Sequence, residues 1–256
     1  MQAPFRPDSA LVIKVSASPT QGERVGVAAP DIIVLHYTGM ADAEGALARL
    51  VDPAAEVSAH YFVHDDGRII QLVPEARRAW HAGESSWQGE TDVNSHSIGI
   101  EIVNAGHDFG YPDFPDRQIK AVVALCRDIA ARKKIRADRV LAHSDVAPMR
   151  KQDPGEKFPW QRLHRAGVGH WVKPTAIRKG PVLARGDRGE AVAALQTMLA
   201  RYGYGVAVTG EYDETTAAVV GAFQRHFRPA RVDRIADRST LTTLTDLLAA
   251  RPIIAA

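Results

Sequence analysis

The sequence predicts an α/β fold, a central sheet flanked by helices, followed by a small three-helix domain. Three observations carry this. Strand-like and helix-like stretches alternate over the first 160 or so residues of the 256-residue chain. A stretch at 164–182, "HRAGVGHWVKPTAIRKGPV", then breaks the pattern with glycines and prolines. Beyond it, three segments show only helical periodicity.

In chain order, "DIIVLHYT" (31–38) is a short apolar, β-branched run that suits a buried strand. "ADAEGALARLVD" (41–52) places Ala46, Leu47 and Leu50 on one helical face. "AHYFVHDDGRIIQLV" (59–73) is two β-rich runs around Asp66-Gly67, a hairpin signal. In "HSIGIEIVN" (96–104), Ile98, Ile100 and Ile102 alternate with Gly99, Glu101 and Val103, so the two sets face opposite sides of a strand. A long helix follows at about 116–134, with Cys126 on its core side, and "RVLAH" (139–143) is a last short strand. After the predicted linker, Val192, Leu195, Met198 and Leu199 share one helical face, with Gly203 as C-cap. Ala218, Val219, Ala222 and Phe223 share another, with Asp213 as N-cap, and "DRSTLTTLTDLLAA" supplies a third helix.

Composition narrows the function. With 45% apolar and 24% charged residues the chain reads as globular. A net charge of +2 gives no support for a nucleic acid or an anionic membrane surface as partner. The basic excess is confined to the segment after Pro174, with 11 basic and 8 acidic residues against 21 and 22 before it. No apolar run approaches the ~20 residues of a membrane span. One cysteine cannot close an internal disulfide, and no feature specifies an oligomeric state. The N-terminus, "MQAPFRPDSALVIKV", lacks the basic start and apolar run of a signal peptide, which predicts a cytoplasmic protein; a leader already removed would make it periplasmic.

Ten histidines raise the question of a metal site. His60 and His64 are four apart, but on a strand that spacing spans ~13 Å, too far for one ion, so His60 is expected to be a hydrogen-bonded structural residue. His36 and His143 each follow an apolar strand-like run, and functional groups gather where strands end. A carboxylate on the loop after His143, "SDVAPMRKQDPG", could join them. From the pattern alone, surface or capping histidines are the plainer reading.

Four segments in order, "VLHYTG", "SAHYFVHDDGRIIQLVPEARRAWHAGESSW", "NSHSIGIEIVN" and "LAHSDVAPMRKQDPGEKFPW", resemble the zinc-dependent N-acetylmuramoyl-L-alanine amidases of bacterial cell-wall metabolism, the AmpD/AmiD-like branch. That branch shares the fold of peptidoglycan-recognition proteins, and the likeness spans about residues 10–165. It implies one Zn²⁺ per chain held by His36, His143 and Asp153, with Glu101 as catalytic carboxylate and Lys151 beside the developing charge. Asp153 stands where part of the superfamily has cysteine. Asp145 would close the site as a fourth ligand, so it is expected to be a turn residue or a support for the ligands. Trp80 and His81, in "RAWHAG", match a family segment near the substrate cleft and are expected to bind substrate.

The segment 183–248 resembles the three-helix peptidoglycan-binding domain often attached to such hydrolases. Its shared residues are mostly core-forming, so the likeness implies the fold more than a ligand. The expected organisation is a catalytic domain at 1–166, a linker at 167–182 and the small domain at 183–250. Every candidate catalytic residue precedes the linker, so the N-terminal part is expected to fold and act alone. The implied function is hydrolysis of the amide between N-acetylmuramic acid and L-alanine, in peptidoglycan or in muropeptides such as the 1,6-anhydro form. The alternative is a non-catalytic peptidoglycan-binding protein on the same scaffold; binding-only relatives lose zinc ligands, and none is lost here. A phage-lysozyme-like regulator of a polymerase has no supporting feature.

Overall fold

The computed structural model describes residues 5–251; positions 1–4, at the start of the expected first domain, lie outside the described residues. The strands are β1 (Lys14–Val15), β2 (Gln21–Gly22), β3 (Ile32–Tyr37), β4 (Tyr61–Val63), β5 (Ile69–Gln71), β6 (Arg78–Ala79), β7 (Ser97–Ile102), β8 (Val140–Ala142), β9 (Val182–Leu183) and β10 (Ala236–Asp237). The helices are α1 (Ala43–Val51), α2 (Val93–His96), α3 (Asp116–Lys133), α4 (His143–Val146), α5 (Trp160–Arg165), α6 (Glu190–Tyr202), α7 (Glu214–Phe227) and α8 (Arg238–Ala249). Six strands form one mixed sheet in the order β1-β5-β4-β7-β3-β8. Only the β4–β5 hairpin is antiparallel within it.

Strand alternation sorts the two faces. Ile33, Leu35, Ile98, Ile100, Ile102, Val140 and Ala142 pack beneath α3 with Ile119, Val122, Leu125, Cys126 and Ile129. The opposite face is shared by two covers. At one end, Phe62 and Ile70 lie under Ala46 and Leu50 of α1. At the other end, Ile32, Val34 and Leu141 join Trp87 and Val146 in one continuous apolar core with Val192, Leu195 and Leu199 of α6, Phe223 and Phe227 of α7 and Leu244 of α8. The stretch of face between the two covers is where the polar site forms.

Helix ends follow local chemistry. Asp42, Asp213 and Asp237 each accept a hydrogen bond from a first-turn backbone N–H, as N-caps do. Gly203 ends α6 at φ 145°, a backbone angle that glycine tolerates. In the tail, the buried Gln196 and Gln224 side chains each pin a loop: Gln196 accepts from Thr209 and Gly210 N–H, and Gln224 from Asp233 and Arg234 N–H.

The first part of the stretch read as a linker packs as a strap, while 178–182 is exposed. Val168 and His170 are buried, Trp171 packs against both main cores, and His170 Nδ1 lies 3.0 Å from the Tyr202 hydroxyl. Thr175 N–H donates to Thr243 Oγ1, and its carbonyl accepts from Ser239. Glycine and proline content reports irregular backbone, and it does not tell a free segment from one held down by an adjacent tryptophan. No helix among the described residues is long and apolar enough to cross a membrane.

Candidate functional site

The parallel register sets His36 of β3 opposite Glu101 of β7, so both side chains leave the same sheet face. His143 opens α4 directly after β8, and Asp153 lies at the end of the following loop. A hydrogen bond from Ser144 N–H to the Asp153 carbonyl, 3.0 Å, closes that loop on itself. The result brings three side chains together: His36 Nδ1 is 2.9 Å from His143 Nδ1, and Asp153 Oδ2 is 3.1 and 3.0 Å from the two nitrogens. All three residues are buried.

The network around them assigns the ring protons. Ser97 O–H donates to the Val93 carbonyl at 2.6 Å, so Ser97 Oγ accepts from His81 Nε2–H at 3.1 Å. His81 Nδ1 then accepts from His36 Nε2–H at 3.0 Å, leaving His36 Nδ1 with its lone pair. His143 Nε2–H faces the Ala82 carbonyl at 3.1 Å, so in the neutral ring Nδ1 is again the free lone pair. Burial lowers the His36 pKa to about 4, with His143 adding to the effect, which keeps this ring neutral. Burial likewise pushes His81 well down, with His36 contributing.

Three lone-pair atoms about 3 Å apart repel one another unless a cation lies among them. Two imidazole nitrogens and one carboxylate oxygen, each ring oriented by a second hydrogen bond, are a donor set that could hold a metal ion. Glu101 Oε2 is shielded from solvent and has no hydrogen-bond partner among the described residues. Burial raises the Glu101 pKa well above the usual value, Asp153 adds to this, and Lys151 opposes it.

These residues line one cavity of about 370 Å³, together with Lys151, Trp80, His81, Arg49 and Arg150. Trp80 is exposed on the rim, its backbone N–H held by Ser58 Oγ at 2.9 Å. His81 stands in the wall with both ring nitrogens engaged, so only its ring face is open to the cavity. Its backbone, with that of Ala82, is fixed by Asn94 Oδ1 at 3.0 and 2.8 Å. Gly99 makes room for it, since a Cβ there would lie 2.5 Å from the His81 ring. His60 is a structural residue as expected: Nδ1 accepts from Gly99 N–H, and Nε2 faces the Arg77 carbonyl, both at 3.0 Å. Asp145 stands outside the cluster and accepts from Ala142 N–H, Tyr204 O–H and His226. Sequence reasoning missed Asn94 and Ser97; both lie in the quoted "NSHSIG" segment, but nothing in its periodicity marks them as supports for His81.

A mixed sheet with a buried His–His–Asp cluster that could hold a metal ion, beside an unpaired carboxylate in one cleft, suits a hydrolytic site. The family described as N-acetylmuramoyl-L-alanine amidase matches residues 26–156, and one described as "Putative peptidoglycan binding domain" matches residues 188–244. The N-acetylmuramoyl-L-alanine amidase AmiD of Escherichia coli is 41% identical over 231 residues, 85% of this chain and 82% of its own. The chain belongs to the N-acetylmuramoyl-L-alanine amidase family and is an enzyme of that kind. The structure of E. coli AmiD in complex with anhydro-N-acetylmuramic acid-L-Ala-D-γ-Glu-L-Lys superposes with a TM-score of 0.73 at 38% identity, covering 91% of each chain. AMPDH3 of Pseudomonas aeruginosa superposes at 0.74 and 29% identity over 99% of this chain and 100% of its own. A shorter AmpD structure covers 62% of this chain and 95% of its own, at 32% identity and a TM-score of 0.55.

Proposed function

We propose that the chain cleaves the amide between the lactyl group of N-acetylmuramic acid and L-alanine in soluble muropeptides, the 1,6-anhydro form among them, with one zinc ion held by His36, His143 and Asp153. The observation that carries the reading is the convergence of three lone-pair donors beside the unpaired Glu101 Oε2 in one cavity. The AmiD complex with an anhydro-muramyl tripeptide supports the substrate class. We further take residues 1–166 as the catalytic unit and 183–250 as the appended one.

Zinc with three protein ligands and an open position supplies Lewis-acid polarisation and lowers the pKa of water to about 7. His36 and His143 would hold the ion through Nδ1, each kept in that tautomer by the bond at Nε2. Glu101 Oε2 takes the proton of the attacking water and returns it to the leaving L-alanine nitrogen; its raised pKa suits a group that must hold a proton and release it within one turnover. Lys151 lines the same cavity, and its ammonium would stabilise the carbonyl oxygen as negative charge builds there. Trp80 offers a flat apolar surface at the rim for the sugar or peptide, and the His81 ring face offers a second.

The test is digestion of purified anhydro-muropeptide and of intact sacculi side by side, with products identified by mass spectrometry. Release of free stem peptide from the muropeptide is the expected result. Binding without release would favour the non-catalytic alternative. For the compartment we propose the cytoplasm, where soluble fragments are processed; recovery of the native protein in periplasmic shock fluid would overturn that.

A further inference from the structure

The loop that carries the candidate ligands is gripped from outside its own domain. Asp145, fully buried, sits two residues after His143. Its Oδ2 accepts from Ala142 N–H at 2.8 Å, which fixes the turn where β8 becomes α4 and thus the direction of His143. The same oxygen lies 2.6 Å from His226 Nδ1, and Oδ1 accepts from Tyr204 O–H at 2.7 Å. Two of the carboxylate's three partners therefore belong to the tail. Tyr204 is anchored by a β-bridge to Trp87, and the His226 ring stacks on Trp160 at 3.7 Å. At the other end of the loop, Arg225 donates to Gln152 Oε1 at 3.1 Å, and Gln152 stands between Lys151 and Asp153 in the cavity wall. Consecutive residues of α7 thus hold both ends of the segment 143–153.

We propose that the C-terminal helical domain is a working part of the active site: Tyr204, Arg225 and His226 are positioning residues that clamp the loop bearing His143, Lys151 and Asp153. The physical reason is the cost of leaving a buried carboxylate short of donors. Asp145 without its tail partners must turn toward water or other groups, and the α4 turn moves with it. A shift of about 1 Å at groups that orient ligands is enough to weaken metal binding and misplace catalytic groups. The clamp rests on the zinc-amidase reading above.

The test uses the full chain and three variants. Tyr204→Phe removes one hydroxyl and keeps the ring; His226→Phe keeps the stack on Trp160 and removes the donor. Leu244→Ala, on α8 in the shared apolar core, is a destabilised control that removes no hydrogen bond to the loop. Zinc affinity is read by competition with a chromogenic chelator, and kcat and KM on anhydro-muropeptide. The clamp predicts zinc bound about 10–100-fold more weakly in the two clamp variants and kcat lowered by a similar factor, with KM held within about twofold. Leu244→Ala should lower the melting temperature and leave zinc affinity and kcat as they were. Should His226→Phe fail to fold, the single-hydroxyl variant Tyr204→Phe carries the comparison. Clamp variants that load zinc and turn over like the wild type overturn the clamp alone, as does a Leu244→Ala variant that loses zinc affinity equally. Wild-type protein that neither takes up zinc nor cleaves overturns the parent reading instead.

Discussion

In the mechanism proposed here, Glu101 is the residue on which the chemistry turns. Its Oε2 is shielded from solvent and unpaired among the described residues, and its pKa is raised, an arrangement that costs stability and is hard to explain by packing alone. Glu101→Gln keeps the size and removes the basic atom. Turnover should fall by about 10²–10⁴, the usual worth of general acid–base catalysis, while bound zinc per chain stays unchanged. Near-normal turnover would assign the proton transfer to another group. His60 makes a different prediction at the same scale. Burial, reinforced by Arg24, lowers its pKa from 6.5 to about 3. The unfolded chain therefore binds this proton more tightly than the folded one, and stability falls as pH drops from about 6.5 toward 3. The slope from this one group reaches about 1.4 kcal/mol per pH unit. In urea titrations of metal-free protein between pH 4 and 7, His60→Gln should show a correspondingly flatter dependence than the wild type; parallel curves would mean that His60 does not titrate on unfolding.

At the scale of elements, β7 explains much of the site. Alternation along "SIGIEI" sends the isoleucines beneath α3 and leaves Gly99 and Glu101 on the site face. That much is legible in the sequence, as is the placement of His36 and His143 at strand ends, because strand periodicity and chain direction are local properties. The relay from Ser97 through His81 to His36 is not, because it joins residues from separate segments through ring orientations that no spacing encodes. Gly99 ties the two together. Gly99→Ala would press a methyl within 2.5 Å of the His81 ring. Overpacking of this kind costs about 1–3 kcal/mol, and displacing His81 also frees the His36 tautomer. A lowered melting temperature together with weaker zinc binding is expected from paired calorimetry and chelator competition. Loss of stability with zinc affinity intact would detach His81 from the metal site.

At the scale of the whole molecule, the break in pattern at 164–182 is legible in the sequence, but the packing of the flanking parts on each other is not. Periodicity reveals that α6, α7 and α8 each have an apolar face; it does not say what else lies against those faces. Here they share a core with Ile32, Val34, Trp87 and Leu141, and the strap carrying Trp171 packs against both sides. Uncovering each of these four costs about 1.5–3 kcal/mol, a sum comparable with the stability of a whole domain. In this chain, ending at residue 175 should lower the melting temperature by more than 10 °C or prevent folding, and activity on soluble muropeptide should be lost. Thermal denaturation and a turnover assay decide this; a stable, fully active fragment would mean that the tail acts only on larger substrates.

The most direct measurement is a zinc titration of metal-stripped protein, followed by release of stem peptide from anhydro-muropeptide. Wild-type activity should rise linearly and saturate at one zinc per chain. Lys151→Ala should take up the same single zinc with low turnover, because in the proposed mechanism its ammonium acts only on developing charge. Asp153→Ala should take up none with comparable affinity and remain inactive. Activity that is full without added zinc, or an Asp153→Ala variant that titrates like the wild type, would contradict the account.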